Sequence, residues 1–300
     1  MLPTYDAVVV GGGPAGLSAA LALGRATRRV LLTTCGPPRN APAHAAHNVF
    51  TRDGTPPAEL LRIGREELRQ YDVTVRQECA TDARRSEDGF VVALERGEVR
   101  TRGIVLATGV RDRLPDRPGF QELWGQGVFH CPYCHGWEVA RQPLAIYAGG
   151  DAALHLARLI RGWTADLVLF SDGPIGLPEA DVERILRNGI LIREEPVERL
   201  IGSGGLEAVV LEGGELVERS GLFVAPEQEL RSDLAHRLGC TMTAQGRVDA
   251  DVLGRTNIPM VFVAGDASPA QQSVTAASAS GMLAGAGLNH DLLTEEFASR

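Results

Sequence analysis

The residues best suited to chemistry lie in one short segment, residues 130–138, which reads HCPYCHGWE. Its two cysteines, Cys131 and Cys134, have the Cys-x-x-Cys spacing that brings two sulfurs within disulfide reach on a turn or a first helical turn. Pro132 restricts the backbone between them and can bias the reduction potential of such a disulfide. Histidines on both sides supply groups that exchange protons near neutral pH. The segment therefore predicts redox catalysis, with Cys131 and Cys134 as the reacting pair and His135 as the acid or base.

Three other uses of this segment compete with redox catalysis. Cys-x-x-Cys-His is also the attachment signature of c-type haem, but that attachment takes place outside the cytoplasm, and the start of the chain (MLPTYD) lacks the features of a secretory signal. A zinc site needs four converging ligands, and the segment has no second ligand pair. A purely structural disulfide does not suit a reducing compartment. We therefore expect a cytoplasmic protein with a catalytic cysteine pair and no metal site.

A glycine-rich turn near the start of the chain has the pattern of a dinucleotide site. Residues 5–10 (YDAVVV) are an apolar run typical of a strand buried on both faces, and they lead into GGGPAG and then a helical pattern. In such a unit, Gly11 permits the tight turn, Gly13 lets a pyrophosphate approach the backbone, and Gly16 lets helix and strand pack closely. The start of the helix adds N–H groups and the positive end of its dipole.

Three later turns have features that suit a nucleotide ligand. The first follows the second predicted strand, residues 30–33. The acid that usually binds a ribose would fall near Thr34, whose neutral hydroxyl gives a weaker hydrogen bond. A later apolar strand ends in an Ala-Thr-Gly turn, where Thr108 and Gly109 allow close approach of a ligand to the backbone. A late apolar run ends in Gly265 and Asp266, and this Asp can pair with polyol hydroxyls. A helix rich in small residues is predicted to follow, to about residue 289.

A second, weaker glycine turn follows the cysteine pair. The apolar run 144–147 leads into Gly149, Gly150 and Asp151, but the first glycine of the pattern is replaced by alanine. The next predicted strand, residues 167–170, is followed by Asp172 with no Arg close behind, so a free ribose 2′-OH fits better there than the 2′-phosphate of NADP. A plain βαβ unit that binds nothing is the alternative interpretation.

The remaining cysteines and two loop histidines show no pattern that assigns them a role. Cys35, Cys79 and Cys240 have no partner spacing, and we expect them to be small buried hydrophobic residues. His44 and His47 lie in the loop after the second predicted strand and are expected to be loop or interface residues, with a role near the thiols as a minority interpretation.

Composition excludes several classes of function. The 300 residues suffice for two domains, and 44% hydrophobic with 23% charged residues is typical of a globular protein. All 30 basic residues are Arg, which excludes Schiff-base chemistry and a phosphate-binding lysine. A net charge of −8 without a basic run argues against nucleic-acid binding, and no apolar run approaches the length of a membrane span.

In this order, these motifs resemble the low-molecular-weight thioredoxin reductase family: GGGPAG, ATG, Cys-x-x-Cys, GGDAA, and a late AGDAS followed by QQSVTAA. The resemblance covers essentially the whole chain. It implies an α/β fold with two Rossmann-like three-layer nucleotide-binding domains, one inserted in the other. Residues 1–112 and 244–300 would form the FAD domain, and 113–243 the NAD(P)H domain that carries the cysteine pair. It also implies a homodimer and a domain rotation that alternately presents the nicotinamide and the disulfide to the flavin.

The same resemblance implies roles for individual residues. Cys134 would contact the flavin and Cys131 would attack the substrate disulfide, which belongs to a thioredoxin-like protein or a small molecule. The predicted FAD contacts are Gly11, Gly13, Pro14, Ala15, Gly16, Thr34, Arg39, Asn40, Thr108, Gly109, Gly265, Asp266, Gln272, Ser273 and Val274. The predicted contacts of the nicotinamide nucleotide, NADH or NADPH, are Gly149, Gly150, Asp151 and Asp172.

One departure from the family pattern leaves the direction of electron flow open. The Asp that usually follows the second cysteine is His135 here, and CPYCHGWE is similar to the dithiol oxidases that close disulfides in gliotoxin- and holomycin-type metabolites. Such enzymes pass electrons from a substrate dithiol to oxygen and need no nicotinamide. The leading prediction is an NAD(P)H-driven, FAD-dependent disulfide reductase. The alternatives are an oxygen-dependent dithiol oxidase and a redox-sensing flavoprotein without turnover.

Overall fold

A computed structural model describes residues 2–269 and 271–299, and the chain divides into two compact units. Unit 1 comprises Met1–Ala41, Val49–Arg111 and Gln228–Arg300, and unit 2 comprises Pro42–Asn48 and Asp112–Glu227. The domain boundaries expected from the sequence lie at 112/113 and 243/244. In the structure, the main segment of unit 2 begins after residue 111 and ends at residue 227. The chain therefore returns to unit 1 at residue 228, which is 16 residues earlier than the expected residue 244.

Unit 1 is built on a seven-stranded sheet. Its elements are β1 (Thr4–Val10), α1 (Pro14–Arg25), β2 (Val30–Thr33), α2 (Pro57–Leu68), β3 (Val73–Arg76), β4 (Ala80–Ser86), β5 (Gly89–Leu94), β6 (Gly97–Leu106), α6 (Leu234–Arg237), β17 (Val261–Val263), a 3₁₀ turn (Gly265–Ala267) and α7 (Val274–Ala298). The sheet order is β3-β2-β1-β6-β5-β4, and β17 pairs with β6.

The register of the parallel strands brings the predicted turns of unit 1 to one edge of the sheet. Val10 pairs with Thr33 of β2 and with Leu106 of β6, and Val263 of β17 also pairs with Leu106. These four residues are at or near the carboxyl ends of their strands, so the segments that follow them emerge together. This is the edge at which parallel α/β sheets bind ligands.

Both faces of this sheet are buried, as the unbroken apolar run of β1 predicts. Ala7 and Val9 pack on the face covered by α1 and α7, whereas Val8 and Val10 pack on the opposite face. The side chains of successive strand residues point to opposite faces, so a strand covered on both sides needs apolar residues at every position.

Helix α7 is longer than the sequence indicates. The pattern predicts an end near residue 289, but the helix continues to Ala298. Leu292 is fully buried, and Glu296 forms an ion pair with Arg28 at 2.6 Å and another with Arg102. These two guanidinium groups lower the pKa of the Glu296 carboxyl to about 2. Tertiary contacts thus extend a helix whose last turns look polar in sequence.

Unit 2 has a five-stranded parallel sheet beside a three-stranded antiparallel one. Its elements are β8 (Val128–Phe129), α3 (Pro132–His135), β9 (Leu144–Tyr147), α4 (Gly150–Ile160), β10 (Leu167–Phe170), α5 (Glu179–Arg187), β11 (Leu191–Arg193), β12 (Val197–Ile201), β13 (Ala208–Leu211), β14 (Leu216–Glu218) and β15 (Gly221–Val224). The parallel order is β11-β10-β9-β15-β8, and β12, β13 and β14 form the antiparallel sheet. Two further strands, β7 (Val110–Arg113) and β16 (Glu227–Leu230), pair where the chain passes between the units.

Two strands of unit 2 were predicted from the sequence. The expected runs 144–147 and 167–170 coincide with β9 and β10, and the cysteine pair follows β8 on a short helical turn. Over the described residues, no helix has the length and apolar character that crossing a membrane requires.

Candidate active site

The glycine turn of unit 1 has the shape that a pyrophosphate site needs. A Cβ on Gly11, whose φ is +114°, would lie 2.2 Å from the Ala107 carbonyl oxygen, and one on Gly16 would lie 1.7 Å from the Gly11 carbonyl oxygen. Backbone therefore fills those two positions. At Gly13, by contrast, a Cβ would meet no described atom within 4 Å beyond its chain neighbours. Gly13 is also the N-cap of α1, so the open side of the turn faces the start of a helix and fits a phosphate group.

Thr34 lies directly against this turn. A Cβ on Gly12 would lie 2.6 Å from the Thr34 Cβ and 2.7 Å from its Oγ1. The Thr34 N–H donates to the Arg76 carbonyl oxygen at 3.0 Å, which holds the end of β2 in place. The structure thus brings the predicted ribose contact beside the predicted pyrophosphate turn.

A polar cluster joins the loop after β2 to the segment before α7. Arg39 donates through Nη1 to Asp266 Oδ2 at 2.9 Å and to Gln272 Oε1 at 2.8 Å. Gln272 exchanges two amide hydrogen bonds with Gln228, at 2.7 and 3.0 Å. Arg247 also donates to Gln228. Three predicted FAD contacts therefore lie together with Gln228 and Arg247, which the sequence did not reveal because neither belongs to a motif.

The other predicted contacts of unit 1 follow its strands, begin its helices or lie in the loop after β2. Thr108 and Gly109 follow β6, and Gly109 has a φ of +68° with open space at its Cβ position. Gly265 begins the 3₁₀ turn after β17. Ser273 caps α7 by accepting from the Ala276 N–H at 3.0 Å. Pro14, Ala15 and Val274 are in the first turns of α1 and α7, and Asn40 follows Arg39.

In unit 2, Cys131 and Cys134 form a disulfide at the carboxyl end of β8. Their Cα atoms are 5.3 Å apart, and both residues are partly exposed. Cys131 is the N-cap of α3, and its carbonyl oxygen accepts from the N–H groups of Cys134 and His135 at 3.1 and 3.2 Å. The single turn of helix thus holds the sulfurs together and leaves one side open to a reactant.

The His135 imidazole is held in an apolar position next to the disulfide. Its ring stacks on Phe129 with 4.6 Å between centroids and a 16° angle between planes. Neither ring nitrogen reaches a hydrogen-bond partner in the described part of the chain. Burial lowers the pKa of His135 below its ordinary value of 6.5, although the nearby Glu138 carboxylate opposes that shift. The imidazole is therefore neutral at pH 7 and able to accept a proton.

Glu138 and His47 extend this group of titratable side chains. His47 Nε2 lies 3.3 Å from Glu138 Oε1, and both residues belong to unit 2. The sequence left the role of His47 open, and the structure places it near the cysteine segment although 84 residues separate it from Cys131. His44, which belongs to the same short segment of unit 2, has no contact that assigns it a role.

Two aromatic side chains flank the disulfide at the surface. Trp137 is 80% exposed and Tyr133 is 57% exposed. Tyr133 makes an edge-on contact with Trp163, with 5.5 Å between ring centroids. Exposed aromatic groups of this size are favourable contact surfaces for an apolar or aromatic partner.

At the second glycine turn, several predicted groups already have partners within the protein. The Gly150 N–H donates to the Ile175 carbonyl oxygen at 2.7 Å, and a Cβ on Gly149 would lie 3.7 Å from the same oxygen. Asp172 accepts from Tyr147 and from the Val197 N–H, both at 2.8 Å, and forms an ion pair with Arg117. A dinucleotide that used the Gly150 N–H or the Asp172 carboxylate would compete with these contacts. Asp151 lies in the first turn of α4.

The expectation for two of the remaining cysteines was wrong. Cys35 and Cys79 form a second disulfide, with 4.7 Å between their Cα atoms, and Cys35 is exposed. Parallel pairing of β2 with β3 brings the segments after both strands together, although 44 residues separate the cysteines in sequence. Cys240 is 7% exposed, as expected, and burial raises the pKa of its thiol. No group of three or more His, Cys, Asp and Glu residues in the described ranges could hold a metal ion.

The chain matches the family model described as pyridine nucleotide-disulphide oxidoreductase over residues 5–281. The thioredoxin reductase sirT of Leptosphaeria maculans is 33% identical, over 99% of this chain and 97% of that protein. The thioredoxin reductase aclD of Aspergillus oryzae is 31% identical, over 99% of both chains.

Solved structures agree with these sequence relatives. The crystal structure of HlmI superposes with a TM-score of 0.93 at 38% identity, covering 99% of this chain and 95% of that one. The crystal structure of an oxidoreductase from Agrobacterium tumefaciens superposes with a TM-score of 0.91 at 30% identity, covering 97% of this chain and 99% of that one. The predicted α/β fold and the family resemblance are thereby confirmed. The family uses FAD and NAD(P)H. The chain belongs to the pyridine nucleotide-disulphide oxidoreductases, and it is a flavin-dependent, thioredoxin reductase-like disulfide oxidoreductase.

Proposed function

We propose that Cys131 and Cys134 pass electrons from NAD(P)H, through FAD held by unit 1, to the disulfide of a thioredoxin-like protein or a small molecule. The observation that carries this proposal is the partly exposed disulfide on a single helical turn beside a neutral imidazole. Unit 1 is the proposed FAD domain, and unit 2 the proposed NAD(P)H domain.

The fit of FAD to unit 1 rests on the open position at Gly13 and on the turns that gather at one sheet edge. The start of α1 would hold the pyrophosphate, Thr34 the ribose, and Asp266 and Gln272 the ribityl chain and ring. When bound, FAD supplies a ring system that takes up a hydride and exchanges an electron pair with a thiol–disulfide couple.

The proposed exchange at the cysteines conserves atoms and electrons. The reduced Cys131 thiolate attacks one sulfur of the substrate disulfide, which forms a mixed disulfide and expels one substrate thiolate. The Cys134 thiolate then attacks the Cys131 sulfur, closes the disulfide and expels the second substrate thiolate. The substrate gains two electrons and two protons, and the cysteine pair loses the same number. His135 would hold or release the proton that Cys134 exchanges.

Replacing His135 by Ala is expected to change the pH dependence of turnover. Because burial keeps the pKa of His135 below 6.5, the wild-type imidazole becomes protonated only at pH values more acidic than that, and turnover should fall there. The H135A variant should lose this acid limb and turn over more slowly at neutral pH. Rates measured across the neutral and mildly acidic range would contradict the proposed role if the two profiles coincide.

The nicotinamide donor is tested by anaerobic titration of the yellow holoenzyme with NADH and then NADPH, following flavin absorbance. Rapid bleaching by either nucleotide is the expected result. A preference for NADH would agree with the sequence directly after Asp172, which contains no Arg close behind that could bind a 2′-phosphate. No bleaching by either nucleotide, together with prompt bleaching by a dithiol, would overturn the NAD(P)H-driven proposal.

A specific observation favours a second candidate, oxidation of a substrate dithiol by oxygen. The Ile175 carbonyl oxygen accepts the Gly150 N–H and lies beside Gly149. A pyrophosphate at this turn would need free N–H donors, and the partial negative charge of that oxygen would repel it. In this direction a dithiol and O₂ give a disulfide and H₂O₂, which balances two electrons and two protons. Stoichiometric peroxide from a simple dithiol, without nicotinamide, is the result that supports this candidate.

We further propose that the protein forms a homodimer through the exposed side of α7 and that it is cytoplasmic. Three large apolar side chains of α7 are exposed: Met282 by 46%, Leu293 by 51% and Phe297 by 85%. They are 11 and 4 residues apart in sequence, a spacing that places them on one side of the helix. Cell fractionation tests the cytoplasmic location.

The F297E variant, which places a charge in this apolar stripe, is expected to shift the protein from dimer to monomer. A charge buried at a subunit interface without a partner is strongly unfavourable. Light scattering coupled to size-exclusion chromatography measures the mass. A wild-type monomer, or a variant that stays dimeric, would contradict the proposal.

A further inference from the structure

We propose that Cys35–Cys79 is a second thiol–disulfide exchange site, at which an external dithiol controls how tightly unit 1 holds FAD. The inference rests on the proposed FAD site of unit 1. It concerns a disulfide that belongs to a different unit from Cys131–Cys134 and plays no part in the exchange described above.

The disulfide anchors the loop of residues 35–41, which carries two proposed FAD contacts, Arg39 and Asn40. Cys35 directly follows Thr34, and four residues later Arg39 reaches Asp266 and Gln272. Cys79 immediately precedes β4, so its backbone is fixed by the sheet. The Cys35–Cys79 bond therefore fastens the start of a loop to a rigid strand.

Besides the disulfide and the Arg39 side chain, the described backbone of this loop has two hydrogen bonds that hold it. Residues 35–41 contain no helix or strand, and two of them, Pro37 and Pro38, have no N–H to donate. The Pro37 carbonyl oxygen accepts from Arg231 at 2.8 Å, and the Ala41 N–H donates to the Pro38 carbonyl oxygen. Opening the disulfide would remove the covalent anchor at the start of the loop and leave Arg39 as its main side-chain tie. FAD binding would then include the unfavourable entropy of ordering the first loop residues.

The exposure of the two sulfurs indicates where an external thiolate reacts. Cys35 is exposed, whereas Cys79 is partly buried and follows Glu78, which is 4% exposed and ion-paired with Arg76 and Arg96. An incoming thiolate reaches Cys35 most easily. The Arg231 guanidinium lies close to the loop at Gly36 and adds positive charge on that side.

The proposed step balances with a dithiol as the named reductant. One thiolate of the dithiol attacks the Cys35 sulfur, forming a mixed disulfide and expelling the Cys79 thiolate. The second thiol of the reagent then closes its own disulfide and releases Cys35. The reagent loses two electrons and two protons, which end on Cys35 and Cys79. In contrast to a Cys-x-x-Cys pair, the separated cysteines close again only when the loop returns to its position.

Thermodynamic linkage makes this control reciprocal. If reduction of Cys35–Cys79 weakens FAD binding by some factor, bound FAD makes the disulfide harder to reduce by the same factor. The state of this disulfide would thus couple the thiol–disulfide balance of the surroundings to the fraction of enzyme that carries cofactor.

The test uses the C131S/C134S variant, in which Cys35, Cys79 and Cys240 are the remaining cysteines. FAD dissociation constants are measured by flavin fluorescence in oxidised and reduced dithiothreitol, with circular dichroism to confirm the fold. Alkylation followed by mass spectrometry reports whether Cys35 and Cys79 are joined. We expect reduction to raise the dissociation constant about tenfold or more, within the usual range of coupling between sites.

Two further variants make the result specific. Adding C35S and C79S should give weak FAD binding that no longer depends on the redox buffer, whereas adding C240S should leave that dependence unchanged. Dissociation constants within about twofold in both buffers, or Cys35 and Cys79 found unjoined under oxidising conditions, would overturn the inference. Failure of the proposed FAD site itself would look different, because FAD would then bind weakly in every buffer and every variant.

Discussion

The C134S variant is expected to lose thiol–disulfide turnover while it stays folded and retains FAD. A serine hydroxyl cannot close the disulfide, so electrons reach neither the substrate nor the flavin through this pair. When two catalytic residues act as one unit, as Cys131 and Cys134 would, removing either one abolishes most of the rate. We therefore expect turnover to decrease by at least about 10³-fold. Turnover is measured with a model dithiol or disulfide, and bound FAD by its visible absorbance.

The matched control for this experiment is C240S, which alters a free, buried cysteine of unit 1. Its turnover should stay close to wild type, because Cys240 is packed in the core of unit 1, where its thiol contacts Thr256. C134S turnover at a rate near that of C240S would show that the reaction does not pass through this disulfide.

A pair of glycine substitutions is expected to separate FAD binding from stability. In G13A the new Cβ meets no described atom, and the backbone φ of −77° is ordinary, so the protein should fold normally. The methyl group would instead occupy the space that the pyrophosphate needs. Loss of one or two charge-assisted hydrogen bonds corresponds to binding weaker by about 10- to 100-fold.

In G16A the same methyl group would lie 1.7 Å from the Gly11 carbonyl oxygen, which is backbone and cannot rotate away. We expect this variant to lose FAD binding and also about 1–3 kcal/mol of unfolding free energy, as overpacked cores do. Denaturant unfolding and FAD titration measure the two effects. Equal FAD affinity in G13A and wild type would contradict the placement of the pyrophosphate at this turn.

Local sequence patterns predicted much of the fold and of the proposed sites. The strands that carry the motifs are short apolar runs bounded by Gly, and β2, β9 and β10 have the expected ends. The turns containing Gly11, Thr34 and Asp266 meet because parallel strands place their carboxyl ends at one edge. Motifs that follow neighbouring parallel strands can therefore be assigned to one site on the strength of sequence alone.

The features that sequence did not reveal depend on contacts between distant segments. The 44-residue separation of Cys35 and Cys79 matches no disulfide or metal-binding motif, and the pairing of β2 with β3 is what brings the two cysteines together. Gln228 lies in no motif, yet it pairs with Gln272. The carbonyl oxygen of Ile175 at the second glycine turn is a backbone group, which no residue pattern reports.

Rapid anaerobic mixing of the FAD-loaded enzyme with a dithiol shows whether Cys131 and Cys134 connect external thiols to the flavin. Flavin absorbance is followed in the wild type and in the C131S/C134S variant at equal FAD occupancy. We expect prompt bleaching of the wild-type flavin and none on that time scale in the variant. Bleaching of the variant at the wild-type rate would show that electrons reach the flavin without this disulfide, which would contradict the proposed exchange.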